Sequence, residues 1–429
     1  MNVLIIGSGG REHTFAWKVA KSNKCENIYI APGNAGTATL GQNLNIHVND
    51  FEAIAKAIIE FNISMLIIGP EDPLVNGLRD FLQVNPSLSE LMIIGPDAAG
   101  AQLEGSKDFS KIFMEHNNIP AAYSKTFTIN EIDQAYAYID SQTAPIVVKA
   151  NGLAAGKGVI IAQSKDEAKT AIKSMLVEKK FAQAGETVLI EQFLDGIELS
   201  VFVLTDGENY KILPEAKDYK RIGEQDTGLN TGGMGAVSPV PFATEDFLAK
   251  VEERVIKPTL KGLKKMEIQY VGFIFIGLMN INGDPYVIEY NVRMGDPETQ
   301  VVIPRLQNDL LQVFEATATG NLSNIDLVIE NNTATTVVGV AGGYPEEYDK
   351  NNIIQGLDQA EAIVFQAGTK QLEGDIVTNG GRVIAVTGLG ENLSQALAKS
   401  YSALSNISWK DMYYRKDIGQ DILKLETRN

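Results

Sequence analysis

A chain of 429 residues with 44% hydrophobic and 21% charged residues has the composition of a globular protein of roughly two to four domains. Its formal charge of −17 argues against a nucleic-acid or anionic-membrane partner, since phosphate surfaces are met by basic ones. The single Cys25 excludes an internal disulfide and a Cys-based metal site, and His13, His47 and His116 leave little material for a His triad or multi-His metal centre.

Met1–Gly7 lacks the basic, long-apolar, small-residue order of a signal peptide, and no apolar run is long enough to span a bilayer. A cytoplasmic location is expected, and any chemistry has to use carboxylates, Lys, Arg, backbone amides and a hard metal.

The first hundred residues alternate apolar strands, Val3–Ile6, Ile28–Ile30, Met65–Ile68 and Leu91–Ile94, with helices at Arg11–Ala20 and Phe51–Phe61. That order predicts a parallel sheet covered on both faces. Each strand runs into a Gly- or Pro-marked loop, at the sheet edge where open α/β folds bind ligands.

From about Gly105 the pattern predicts helices at Lys107–His116 and Glu131–Ser141. Strand Pro145–Lys149, the loop Asn151–Gly158, strand Val159–Ala162, helix Lys165–Glu178 and strand Val188–Glu191 follow. A β-rich stretch has strands at 199–205, 271–280 and 285–291 and a helix at 245–264. The tail adds strands at 335–341, 362–365 and 382–387 and a helix near 394–405.

Gly7-Ser8-Gly9-Gly10-Arg11-Glu12 lies where a dinucleotide fingerprint would lie, but Glu12 stands where the third glycine belongs, so an NAD site is disfavoured. Its amides at a helix start still suit a phosphate; a tight strand–helix turn is the plainer alternative. Asn151–Gly158, with Gly152, Gly156, Lys157 and Gly158, misses the Walker A spacing. Glycines and a lysine between two β-runs suggest a mobile hairpin closing over phosphates, though a surface hairpin fits the loop alone. Lys149, ending an apolar strand, needs a charged partner, which a phosphate would supply.

On Val287–Arg293, alternation places Glu289, Asn291 and Arg293 on one face. A carboxylate and an amide oxygen two residues apart suit Mg²⁺, and Arg293 could hold carboxylate or phosphoryl oxygens bidentately. A solvated sheet face is the alternative. Met294-Gly295-Asp296-Pro297-Glu298 makes an unusual turn after it. Asn230-Thr231-Gly232-Gly233-Met234-Gly235 offers amides for an anionic ligand, and Lys217-Asp218-Tyr219-Lys220-Arg221 places an acid among bases.

Together these segments resemble the ATP-grasp ligases, and within them the phosphoribosylamine–glycine ligases of purine biosynthesis. The resemblance runs end to end, through Gly7–His13, Ala31–Thr37, Gly69-Pro70-Glu71, Leu103–Lys107, Gly152–Gly158, Asn230–Gly235, Gly295–Glu298 and Thr378–Val383. It implies a Rossmann-like parallel α/β domain (1–104), an ATP-grasp core of two α+β subdomains and a small β-rich α+β C-terminal domain (331–429). Within the core, 105–198 would be lid and nucleotide region and 199–330 the catalytic region with the metal strand.

The implied activity is ATP-dependent joining of glycine to 5-phosphoribosylamine through glycyl phosphate; another ATP-grasp carboxylate–amine ligase or a carboxylase is the alternative. By resemblance, Lys107, Lys149 and the 152–158 loop hold ATP phosphates, the backbone from Glu191 through Phe193 and Leu194 reads adenine, and Glu198 holds the ribose. Glu289 and Asn291 hold Mg²⁺ or Mn²⁺. Gly9, Gly10, Arg11, Glu12, Asn230, Gly232, Gly233, Met234, Asp296 and Pro297 are the substrate-binding set, and Arg293, Asp218 and Lys220 the catalytic one.

Departures from the family pattern are Tyr219 for histidine, Lys217 for glutamine, Asn151 for aspartate, Leu229 for proline, and Val292 and Met294 around Arg293. A monomer or weak dimer is expected, with small-molecule partners, no nucleic acid, no membrane and no fused further enzyme domain.

Overall fold

The computed structural model describes residues 1–153 and 158–426, so Gly156 and Lys157 lie outside the described residues. Strands β1 (Asn2–Gly7), β2 (Asn27–Pro32), β3 (Gln42–Asn43), β4 (Ile63–Ile68) and β5 (Met92–Ile94) pair in parallel in the order β3-β2-β1-β4-β5. Val3 to Ile6 are wholly buried, as strands covered on both faces must be. Helices α1 (Gly10–Val19) and α2 (Phe51–Glu60) stand where the periodicity puts them. Three more were not legible: α3 (Glu71–Val75) and α4 (Leu78–Gln83), interrupted by Pro73 and Gly77, and α5 (Ala98–Gly105), built on small residues. The strand order reverses at β1, which opens a crevice at its carboxyl end.

Ser106 caps α6 (Lys107–His116) by accepting the Phe109 N–H. Strands β6 (Ser124–Thr128), β7 (Ile146–Ala150), β8 (Val159–Ala162) and β9 (Thr187–Gln192) form an antiparallel sheet in the order β6-β9-β7-β8. Helices α7 (Ile132–Ser141) and α8 (Lys165–Ile172) close a separate core over it, with Phe127, Ile139, Val148, Ile172 and Ile190. The expected helix at 165–178 ends in a π-helical turn, Lys173–Val177.

The third sheet has eight antiparallel strands. They are β10 (Ile197–Thr205), β11 (Tyr210–Asp218), β14 (Gly235–Ser238), β15 (Gly272–Ile281), β16 (Asp284–Asn291), β17 (Thr333–Val340), β18 (Ile363–Gln366) and β21 (Arg382–Gly390). Their order is β16-β15-β10-β11-β14-β17-β21-β18, so the sheet runs unbroken across residue 330. Two hairpins lie outside it, β12 (Arg221–Gly223) with β13 (Thr227–Asn230) and β19 (Thr369–Leu372) with β20 (Asp375–Thr378).

On β10, Phe202 and Leu204 join the core that holds Val3, Ile5 and Phe15, whereas Val201 and Val203 join the one that holds Leu4 and Ile6. Helices α9 (Glu245–Val251) and α10 (Lys257–Lys265) continue through a π-helical turn; α11 (Thr299–Val302), α12 (Leu310–Ala318), α13 (Leu393–Ser405) and α14 (Gln420–Glu426) complete the fold. No helix among the described residues is long and apolar enough to cross a membrane.

His13 joins the first domain to the last. It is buried on α1, and its Nδ1 accepts the Gln366 N–H at 2.8 Å. Burial lowers its pKa from 6.5 to about 4. The folded imidazole thus stays neutral where the unfolded one takes a proton, and stability is lost as pH falls from about 6.5 to about 4. His13→Asn keeps an acceptor but cannot titrate. It should remove up to about 3 kcal/mol of that acid-dependent loss, read as denaturant midpoints across this interval. An acid slope identical to the parent's would exclude His13 as its source.

Candidate functional site

The carboxyl edge of the N-terminal sheet, the β7–β9 pair and the end of β16 meet in one cleft, and buried charge holds them together. Glu12 turns back over the strand ends: its carboxylate accepts the Gly9 N–H at 2.6 Å and the Arg11 Nε–H at 2.6 Å. Arg11 reaches across to the Met294 carbonyl at 3.0 Å. Asp296 accepts the Arg11 N–H at 3.3 Å and a Gln300 amide N–H at 2.7 Å. The first helix and the turn after β16 are therefore one structure.

Lys149 finds its charged partner within the protein. Its Nζ lies 2.8 Å from Glu191, which also faces Lys111 at 3.4 Å, and donates to the Ile288 carbonyl at 3.4 Å. The link joins the smaller sheet to β16 beside Glu289. Sequence suggested a phosphate as a charged partner; the pairing of β7 with β9 places a carboxylate beside Lys149 as well. Lys107 donates to the Gly152 carbonyl at 3.0 Å. Burial, with Lys149 adding to it, holds the Lys107 pKa below the usual lysine value, as burial does for Lys111. Asn151 accepts the Asp108 N–H at 2.9 Å, which ties the start of α6 to the loop.

Lys220 pairs with Glu198 and lies 3.9 Å from Glu289. Burial opposes its charge, but Glu198, Asp218 and Glu289 raise its pKa well above the usual value. Glu298 is buried and Asp218 half-buried near it, and desolvation raises the pKa of both carboxyls. Phe193 and Leu194 are half-buried beyond β9.

On β16, the bulge opposite Gly277 and Leu278 lies before Glu289, so Glu289, Tyr290 and Asn291 keep a regular pairing that sets Glu289 and Asn291 on one face, and the strand ends at Asn291. Arg293 lies past the strand end, between two carboxylates: Nε to Glu71 at 3.1 Å and Nη2 to Glu104 at 2.7 Å. The Nε edge is already taken, so a bidentate contact with a ligand has to use the Nη1/Nη2 end. Burial would raise the Glu71 pKa, but Arg293 and Arg11 bring it down to about 2. Glu104 sits deeper, and burial outweighs Arg293 and pushes its pKa up to about 7.

Glu289 accepts no hydrogen bond among the described residues, and the buried Asn291 Nδ2 has no acceptor among them. No group of three or more His, Cys, Asp or Glu with metal-binding geometry occurs among them. The Glu289 carboxylate, free of hydrogen bonds among these residues, and the Asn291 amide oxygen two residues on are the oxygen donors that a hard divalent cation takes, completed by water and phosphate oxygens.

In the 230–235 loop, Gly233 has φ +120°, a conformation open to glycine, and a Cβ there would meet Pro297 at 2.4 Å. Arg382 donates to the Gly232 carbonyl at 2.7 Å and the Asp296 carbonyl at 2.5 Å. Asn230 pairs with Arg221 across the β12–β13 hairpin. Met234 puts its side chain into the hydrophobic core, and its N–H bonds the Tyr219 carbonyl at 2.7 Å. Tyr219 is buried against the C-terminal segment: its hydroxyl donates to Asp421 at 2.6 Å, and Arg415 lies over its ring.

Sequence reasoning assigned no role to Glu71, Glu104, Glu298 or Arg382. All four stand in motifs quoted above; a carboxylate directly after a strand-end Gly-Pro was the signal for Glu71.

Three family models match the chain: phosphoribosylglycinamide synthetase N domain over residues 1–104, ATP-grasp (A) domain over 105–299 and C domain over 334–421. The phosphoribosylamine–glycine ligase of Vibrio vulnificus (strain CMCP6) is 47% identical over 426 residues, covering 98% of both chains. That of Nostoc sp. (strain PCC 7120) is 45% identical over 427 residues, covering 98% of this chain and 99% of the relative. The crystal structure of phosphoribosylamine–glycine ligase from Thermotoga maritima superposes with a TM-score of 0.85 at 34% identity, covering 97% of this chain and 100% of that one.

Gly69 tests the Glu12 arrangement. A Cβ there would lie 2.0 Å from Glu12 Oε1, a side chain held by both Gly9 and Arg11. Gly69→Ala should therefore cost about 1–3 kcal/mol as overpacking, measured by denaturant unfolding. Unchanged stability would mean that Glu12 can swing aside freely.

Proposed function

The chain belongs to the phosphoribosylglycinamide synthetase family, and from that premise we propose that its cleft joins glycine to 5-phosphoribosylamine with ATP, giving glycinamide ribonucleotide, ADP and phosphate. What carries this reading is the union of a lysine-bearing sheet, the Glu289–Asn291 strand and the Gly9–Glu12 turn in one cleft, through the Lys149–Ile288 and Arg11–Asp296 contacts. Other ATP-grasp ligases and carboxylases are not favoured.

A carboxylate is a poor acylating agent, so amide formation requires its activation. A glycine carboxylate oxygen attacks the γ-phosphorus of ATP, the bond to the bridging oxygen breaks, and ADP leaves. The amine of phosphoribosylamine then attacks the carbonyl of glycyl phosphate; phosphate leaves and the nitrogen loses a proton. Phosphoryl transfer of this kind depends on positioning and charge neutralisation more than on a strong base, in keeping with a chain holding three histidines.

In this reading Lys107 and Lys149 hold the ATP phosphates together with the loop bearing Gly152, Gly156, Lys157 and Gly158. The backbone from Glu191 through Phe193 to Leu194 holds adenine, and Glu198 the ribose. Glu289 and Asn291 hold Mg²⁺ or Mn²⁺, which when bound neutralises phosphoryl oxygens. Arg293 steadies the reacting carboxyl and phosphoryl oxygens through its Nη1 end. Asp218 receives the glycine ammonium, with Lys220 beside it to bind phosphoryl oxygen. Gly9, Gly10, Arg11, Glu12, Asn230, Gly232, Gly233, Asp296 and Pro297 line the phosphoribosylamine side. Met234 acts there through its backbone. The acyl phosphate is open to hydrolysis, so a closed cleft that excludes water protects it.

Omitting each substrate in turn tests the assignment: ADP should form at full rate only with glycine and phosphoribosylamine both present. Equal turnover with bicarbonate or formate replacing glycine would overturn the substrate assignment. Glu289→Gln removes the charge from the metal pair without removing packing. Lewis-acid stabilisation is worth several kcal/mol, so its turnover should fall about a hundredfold or more while the circular dichroism spectrum stays parental. Parental activity across a Mg²⁺ titration would make the carboxylate a structural group.

A further inference from the structure

We propose that Glu104 is a positioning residue for the reaction: its carboxylate, fixed to the backbone beyond β16, sets the direction of the Arg293 guanidinium. The proposal rests on the reading that Arg293 acts on the reacting oxygens.

Glu104 lies in the last turn of α5, just before the Ser106 cap and Lys107. One oxygen, Oε2, accepts the Val292 N–H at 2.8 Å, and the other, Oε1, accepts Arg293 Nη2 at 2.7 Å. The carboxylate thus bridges the backbone of one residue and the side chain of the next. Rotation of Arg293 about its long arm would have to break a bond to an acceptor that cannot follow it. Glu71, at the start of α3, takes the Nε–H, and the only further hydrogen bond of the guanidinium among the described residues is from Nη1 to the Met294 carbonyl at a long 3.5 Å. The weakly engaged Nη1 end is left for a ligand.

Two carboxylates around one guanidinium exceed what its charge requires, and Glu104 is the buried one, with 8% of its surface exposed. Removing a carboxylate from water is costly, so a strap between α5 and β16 alone would be better built from apolar groups. What the second carboxylate adds is direction. A long, rotamer-rich side chain held at two points loses its freedom before substrate arrives, and misplacement of about 1 Å can cost about a hundredfold in rate.

E104Q keeps an acceptor for the Val292 N–H but loses the ion pair. It should lower kcat about ten- to a hundredfold with KM for ATP nearly unchanged. E104D keeps the charge on a shorter arm and should retain more of kcat than E104Q. If Glu104 works through Arg293, E104Q/R293K should be no slower than R293K alone. Parental kcat in E104Q, kcat losses that multiply in the double variant, or losses in E104Q and E104D that simply follow the folded fraction would each overturn the proposal. Should E104Q fail to fold, E104D against R293K and E104D/R293K reads the same coupling. Parental turnover in R293K would instead refute the underlying role of Arg293, and so separates the two failures.

Discussion

A charge taken out of water must find its opposite, and the cleft of this protein is organised by that requirement. Lys149 is held by Glu191, Arg293 by Glu71 and Glu104, and Arg382 faces Asp296 at 3.6 Å. In most of these pairs the partners come from segments far apart in the chain. The electrostatic pairing that makes the site tolerable to bury is therefore also what assembles it from separate sheets. Removing one partner of a buried pair leaves the other uncompensated, at a cost of about 3–5 kcal/mol.

The same pairing gives the site its chemical character. Cations and carboxylates stand in place before any ligand arrives, so the reorganisation that water would need has been done during folding. Glycine permits the close approaches. At Gly7 and Gly69 a Cβ would strike Glu12, and at Gly10 it would strike Gln300. These positions let a buried carboxylate lie directly on the ends of β1 and β4.

What could be read from the sequence was what is local. The runs Val3–Ile6 and Met65–Ile68 identify themselves as buried strands, and Lys107–His116 as an amphipathic helix. The strand Ser124–Thr128 escaped notice because Phe127 is its only apolar residue, and Tyr210–Asp218 because Pro214 and its charges break the pattern. The Glu289–Asn291 pair was visible in two-residue spacing. The partners of Lys149 and Arg293 were not, because they depend on which strands and helices become neighbours: Glu104 is 189 positions from Arg293 and Glu71 is 222. Tyr219, a departure from the family pattern, could not be placed from sequence either; its hydroxyl sits 202 positions from its Asp421 partner.

The eight-stranded sheet carries a consequence for how the molecule comes into being. The pairing of β14 with β17 sets Gly235 opposite Val337, and β21 then pairs with β17. During synthesis from the N-terminus, β14 must wait with a bare row of N–H and C=O groups until about a hundred more residues have emerged, a long-range closure that is intrinsically slow. Until then β14 is an open edge, the part of a nascent chain most prone to pair with the wrong strand. The C-terminal strands are thus the last pieces of the same sheet that bears Glu289, and the catalytic half of the molecule cannot finish folding before they arrive.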